Sequence, residues 1–266
     1  MIREPVVAGT FYPGTKSILE EELGKYIQPA ETKKKVIGLV SPHAGYVFSG
    51  KCAGKGFGTV DVPGTVIILG VNHHGYGHPF AVDGHDQWKS PLGIAEINGE
   101  LRTKLVAESK IFETDTIAGS REHSLEVQVP FVQYINPDAK ILPVTIAAGD
   151  PKRLVEAGKE IAALVKDNPG VLIVASTDMS HYISVDRARE KDRKAIDKIL
   201  ALDPEGLVNT VAMERISMCG VAPTAIMLAA ALELGAKKAE VIDYTNSGNV
   251  MGDYDRVVAY LSMIVY

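Results

Sequence analysis

Two apolar runs, Val66-Ile67-Ile68-Leu69 and Val171-Leu172-Ile173-Val174, lack the polar alternation of a half-exposed strand. Short runs of this kind are buried on both faces, and strands buried on both faces belong to parallel sheets covered by helices. Each run leads within a few residues to side chains that bind metals or move protons. Asn72-His73-His74-Gly75 follows the first, and Asp178-Met179-Ser180-His181-Tyr182 follows the second. Ser41-Pro42-His43-Ala44-Gly45-Tyr46 and Met218-Cys219-Gly220 end two further apolar stretches. In an open α/β sheet, ligands gather at the carboxyl ends of strands. Histidines remote in sequence are therefore expected to meet in one place.

Strand-like and helix-like segments alternate along the chain, which predicts an α/β fold with a central, mostly parallel or mixed sheet and helices on both faces. Strands are expected at 36–40, 65–69, 140–146, 171–175, 240–244 and 257–264, with an edge strand at 79–83 and a loop or hairpin at 88–95. Helices are expected at 17–27, 98–109, 122–134, 150–165, 185–202 and 219–234, with a short one at 49–57 and another from Asp203. Asp150 and Pro151 have the types favoured at an N-cap and a first helical position. No linker or repeat divides the sequence, so a single domain over residues 1–266 is expected.

At 266 residues the chain is long enough for a core that needs no disulfide staples. The net charge of −5 supplies no basic field for nucleic acid. No apolar run reaches the roughly 20 residues of a membrane helix, and the first residues lack a secretory signal. Cys52 and Cys219 form no disulfide framework, which suits a reducing interior. A cytoplasmic location is expected.

Each candidate residue has an ordinary reading beside the functional one. His43, flanked by Pro42 and Ala44-Gly45, is a loop histidine bonded to a carbonyl or a ligand at a strand end. His73 and His74 point opposite ways in extended backbone, so only one faces a common centre; the other is an outer partner or a substrate contact. Asp178 beside His181 is a helix cap or the carboxylate that fixes an acid–base imidazole. Cys219 is a small buried hydrophobe or a thiolate favoured by a helix N-terminus; Cys52 fits the former. Glu122-His123-Ser124-Leu125-Glu126 places Glu122 and Glu126 on one helical face, as a solvated helix start or as site carboxylates. Arg121 and Lys89 are candidates to meet an anionic ligand.

The ordered set of these motifs resembles the Memo family, and Arg3-Glu4-Pro5 through Gly9-Thr10-Phe11-Tyr12-Pro13 is similar to its N-terminus. The resemblance implies a fold similar to the class III extradiol dioxygenases, which bind non-haem Fe(II). It puts His43, His74 and Cys219 at the metal positions and His181 at the acid–base position, with Asp178 and His123 in the same cleft. His73, Tyr46 and Glu126 are the expected substrate contacts. A thiolate in place of the dioxygenase carboxylate softens the site toward Fe, Cu or Zn. The expected function is a non-haem iron or copper redox enzyme acting on a small molecule. The alternatives are a zinc-dependent hydrolase, and a peptide-binding or metal-chaperone protein without turnover, since animal members are associated with phosphotyrosine peptides and with copper or iron handling.

Overall fold

The computed structural model describes residues 1–28, 30–147, 149–168 and 170–266. In chain order its strands are β1 (Ile2–Arg3), β2 (Gly38–Ser41), β3 (Thr65–Val71), β4 (Phe80–Asp83), β5 (Gln87–Ser90), β6 (Gly93–Glu96), β7 (Glu113–Asp115), β8 (Lys140–Ile146), β9 (Val171–Ser176), β10 (His181–Ile183), β11 (Ala239–Asn246) and β12 (Val257–Val265). Its helices are α1 (Lys16–Tyr26), α2 (Tyr46–Thr59), α3 (Gly99–Glu108), α4 (His123–Glu126), α5 (Val129–Ile135), α6 (Pro151–Val165), α7 (Val185–Leu200), α8 (Pro204–Met213), α9 (Val221–Glu233) and α10 (Gly248–Met251).

The two apolar runs lie side by side in the middle of the main sheet, as β3 and β9. The parallel core runs β2-β9-β3-β8. Antiparallel strands flank it: β12 beside β2, with β11 and β10 beyond, and β4 beside β8, followed by β7. The sheet is therefore mixed. A smaller sheet, β1-β5-β6, contains the expected hairpin.

The crossovers explain the two helical layers. β2 connects through α2 over β9 to β3, and β8 connects through α6 back over β3 to β9. Crossovers between parallel strands are right-handed, so connections running in opposite directions put their helices on opposite faces. One layer holds α1, α2 and α5; the other holds α6, α8 and α9. The register ends the central strands nearly level, with Ser41 opposite Ser176 and Leu69 opposite Ala175. Residues just beyond these ends face a common space.

The sequence predicts one helix at 122–134, whereas the chain forms α4 and α5 with a break at Val127–Gln128. Pro130 is the cause: it has no N–H to donate and occupies the first turn of α5, where none is required. Asp150 caps α6 as expected, accepting from the amides of Lys152 and Arg153 at 3.1 Å.

Helices α6 and α9 pack closely at Gly158. A Cβ there would lie 2.5 Å from Ala229 Cβ and 2.6 Å from the Ile226 carbonyl oxygen. Gly158→Ala gains about 1 kcal/mol of helix propensity but overpacks a rigid contact, at about 1–3 kcal/mol. The expected net result is destabilisation, read as a lower urea midpoint with an unchanged slope. A midpoint that rises would show that the helices separate freely.

Candidate metal centre

His43 follows β2, His73 follows β3 and His123 opens α4. One ring nitrogen of each lies within 4.8 Å of those of the other two. The ring centroids are 5.3 Å apart for His43 and His73, 5.4 Å for His43 and His123, and 4.8 Å for His73 and His123. Gly70 permits the approach of α4 to β3, since a Cβ there would lie 2.5 Å from Leu125 Cγ and 2.7 Å from Ser124 Oγ.

Hydrogen bonds fix two of the rings. Ser176 Oγ donates its one proton to the Ser124 carbonyl at 2.6 Å and accepts from Gln128 Nε2 at 2.9 Å. His43 Nδ1, 3.0 Å from that hydroxyl, must therefore be the donor, which leaves a lone pair on Nε2. The Glu122 carboxylate only accepts, so His73 Nδ1 donates to it at 2.9 Å and Nε2 is again left free. Glu122 also accepts from the His73 and Ser124 amides at 2.8 Å and lies 3.4 Å from His123 Nδ1. Partners of this kind hold a metal-binding imidazole in one tautomer and one orientation.

The electrostatics keep the His43 and His123 rings neutral. Burial pushes His43 down to about 3, assisted by His73. Burial likewise pushes His123 down to about 4, with His43 adding to the effect. Burial alone would raise Glu122, but the His73 ring and the backbone amides outweigh it and hold the carboxyl at about 2. The result is two imidazoles uncharged at pH 7 beside an ionised carboxylate. Three imidazole donors suit zinc, copper and iron. With one nitrogen of each ring within 4.8 Å of the other two, and two of the rings held with Nε2 unprotonated, the chemistry of the donor set fits a metal ion.

The structure brings some predicted site residues to this cluster and places others elsewhere. His74, expected as a ligand, is exposed, donates from Nε2 to the Arg121 carbonyl at 3.0 Å, and stacks on Tyr76 at 5.8 Å. His73 takes the inward place because Glu122 captures both its ring and its amide. Cys219 Sγ lies 3.2 Å from His43 Nε2 and accepts from the Asp178 amide at 3.2 Å. It does not carry the lowered pKa predicted for a helix start. It precedes α9, whose N-cap is Gly220, and burial together with the Asp178 charge pushes its thiol up to about 12.

Asp178 and His181 both line the cavity, but Asp178 is not the partner that fixes the His181 tautomer. His181 Nδ1 donates to the Ser217 carbonyl at 2.8 Å, which leaves Nε2 as the proton acceptor. The Asp178 carboxylate accepts from the His43 amide at 2.8 Å, and burial raises its pKa against that bond. Tyr46 is a core residue, with its hydroxyl donating to the Val127 carbonyl at 2.7 Å and its ring packed on Phe131.

Glu126 faces away from the histidines and anchors the N-terminal segment. It pairs with Arg3 at 2.6 Å, and accepts from the Val6 and Val7 amides at 2.9–3.0 Å and from the Tyr12 hydroxyl at 2.8 Å. This clamp sets Phe11 against His123, with centroids 4.7 Å apart. The sequence reading missed Ser176 and Gln128, whose partners lie far along the chain.

The rings open into a cavity of about 430 Å³. Phe11, Phe48, Met251, Val258 and Tyr260 supply apolar wall, and Tyr182, Ser247 and Arg256 complete the rim. Arg121 and Lys89 are not among its lining residues; Lys89 pairs with Glu4 at 3.1 Å. Tyr182 has φ +57, a left-handed conformation that costs a residue with a Cβ about 1–3 kcal/mol. Breaking the buried Arg3–Glu126 pair strands a charge, so Glu126→Ala is expected to cost about 3–5 kcal/mol. Chemical denaturation measures this, and a loss below about 1 kcal/mol would refute the anchoring role.

Among the described residues no helix is long and apolar enough to cross a membrane. Comparison with known proteins gives a consistent result. Residues 3–264 match the family described as Memo-like protein. MEMO1 family proteins of Aquifex aeolicus and Methanosarcina barkeri are 42% and 41% identical, each over 99% of this chain and 98% and 100% of their own lengths. One from Thermotoga maritima is 37% identical over the whole of both chains. The crystal structure of an uncharacterized protein from Escherichia coli K12 shares the fold, with a TM-score of 0.56 at 15% identity, covering 86% of this chain and 99% of that one. This chain belongs to the Memo-like family.

Proposed function

We propose that this protein is a metal-dependent enzyme related to the class III extradiol dioxygenases, with a non-haem iron or copper ion held by His43, His73 and His123. The observation that carries the reading is the set of three clustered imidazoles, two with their Nδ1 atoms engaged by Ser176 and Glu122. Cys219, beside His43 Nε2, is the candidate fourth ligand in this reading. Bound iron or copper would supply redox chemistry toward an organic substrate.

The chain's own groups would do the rest. His181 Nε2, free because Nδ1 bonds to Ser217, accepts a substrate proton. Asp178 holds the His43 backbone in place through its amide. Phe11 and Phe48 exclude water from one wall. A second reading has support from the same observation: three histidines are also a donor set for catalytic zinc, which lowers the pKa of a bound water to about 7. In that case the reaction is hydrolytic and His181 is the base.

Metal analysis of protein purified without oxygen tests both. About one iron or copper per chain is expected, lost on His43→Ala and His73→Ala and retained on His74→Ala. Zinc at that stoichiometry selects the hydrolytic reading. Full metal content in His43→Ala would exclude the site.

A further inference from the structure

Arg256 lies at the rim of the histidine cavity, immediately before β12. Among the described residues its guanidinium has no carboxylate partner; its neighbour is the Tyr182 ring, with Cζ 5.9 Å from the centroid. Tyr182 is itself held in the left-handed region next to His181. The other charged side chain of the lining, Asp178, is committed to the His43 amide. The cavity therefore combines an imidazole floor, an apolar wall and one uncommitted cation with five N–H donors.

From this arrangement we infer that Arg256 is the anion-recognising residue of the site, and that the substrate is a small organic acid with an apolar or aromatic body. A guanidinium matches a carboxylate or a phosphate through paired hydrogen bonds. Tyr182 limits where that fork points by lying beneath it. The volume, about 430 Å³, fits a small molecule. The body would rest against Phe11, Phe48 and Met251, with the reacting part directed to His181 and the histidine cluster. The inference deepens the proposed function by naming a substrate class for the same cavity.

The test uses benzoate, phenyl phosphate and neutral benzyl alcohol, titrated by ligand-observed NMR into metal-stripped and zinc-loaded protein. Wild type is expected to bind at least one of the anions with or without metal; the tighter arm tells carboxylate from phosphate. Arg256→Gln is expected to weaken the anion by about tenfold or more, the loss of a charge-assisted bond. Arg256→Lys should restore part of the affinity, and benzyl alcohol should bind all three proteins alike. Three results would each overturn the inference: no binding of either anion to wild type, equal anion affinity in Arg256→Gln, or anion binding only when metal is present. Arg256 is exposed, so its replacement leaves the fold intact. If His43→Ala retains its full metal content while Arg256→Gln still loses the anion, the metal assignment fails and the anion site stands.

Discussion

The Glu122 carboxylate is the contact on which the histidine cluster depends. It is fully buried, with an exposure of 0%. Such a group is costly unless its oxygens are satisfied. Here the amides of His73 and Ser124 and the ring of His73 satisfy it, and the His123 ring lies alongside. One side chain thus joins the end of β3 to the start of α4, orients the His73 imidazole and lies 3.4 Å from the His123 ring. The third is set from the opposite side by Ser176, at the end of β9. The cluster is a product of three strand ends held level, not of any local motif.

That levelness comes from the topology. β9 is inserted between β2 and β3 by a crossover running against the one that made them neighbours-but-one. The sheet is parallel where the site residues leave it and antiparallel at its flanks, where β12 and β4 close the core. Ligand-binding groups in such sheets sit beyond the carboxyl ends of the parallel strands. The apolar walls come from outside the parallel core: Phe11 from the N-terminal segment, Val258 and Tyr260 from β12, and Met251 from α10.

Much of this was legible in the sequence. The runs at 66–69 and 171–174 announced buried parallel strands, and Asp150-Pro151 announced a helix start. His43, His123, Asp178 and His181 all reach the cavity. The choice between His73 and His74 was not legible, because alternation says only that one of them faces inward. The deciding partner, Glu122, lies 49 residues away. Glu126 misled for a similar reason. A carboxylate one helical turn from Glu122 reads as a second site group, yet its true partner, Arg3, lies 123 residues back. The Cys219 thiol shows a third limit: helix-start logic favours the thiolate, but burial is the larger effect and depends on packing that no local pattern records.

The place of β2 in the sheet has a consequence for how the molecule is made. Val40 pairs on one side with Ala175 and on the other with Met263. During synthesis this strand leaves the ribosome with neither neighbour yet translated. Its unpaired backbone and its leucine and valine side chains then form an open edge of the sort that recruits foreign strands. Contacts this distant in sequence also form slowly. The nascent chain therefore has reason to depend on chaperones, or on early cover from α2, until its downstream partners arrive.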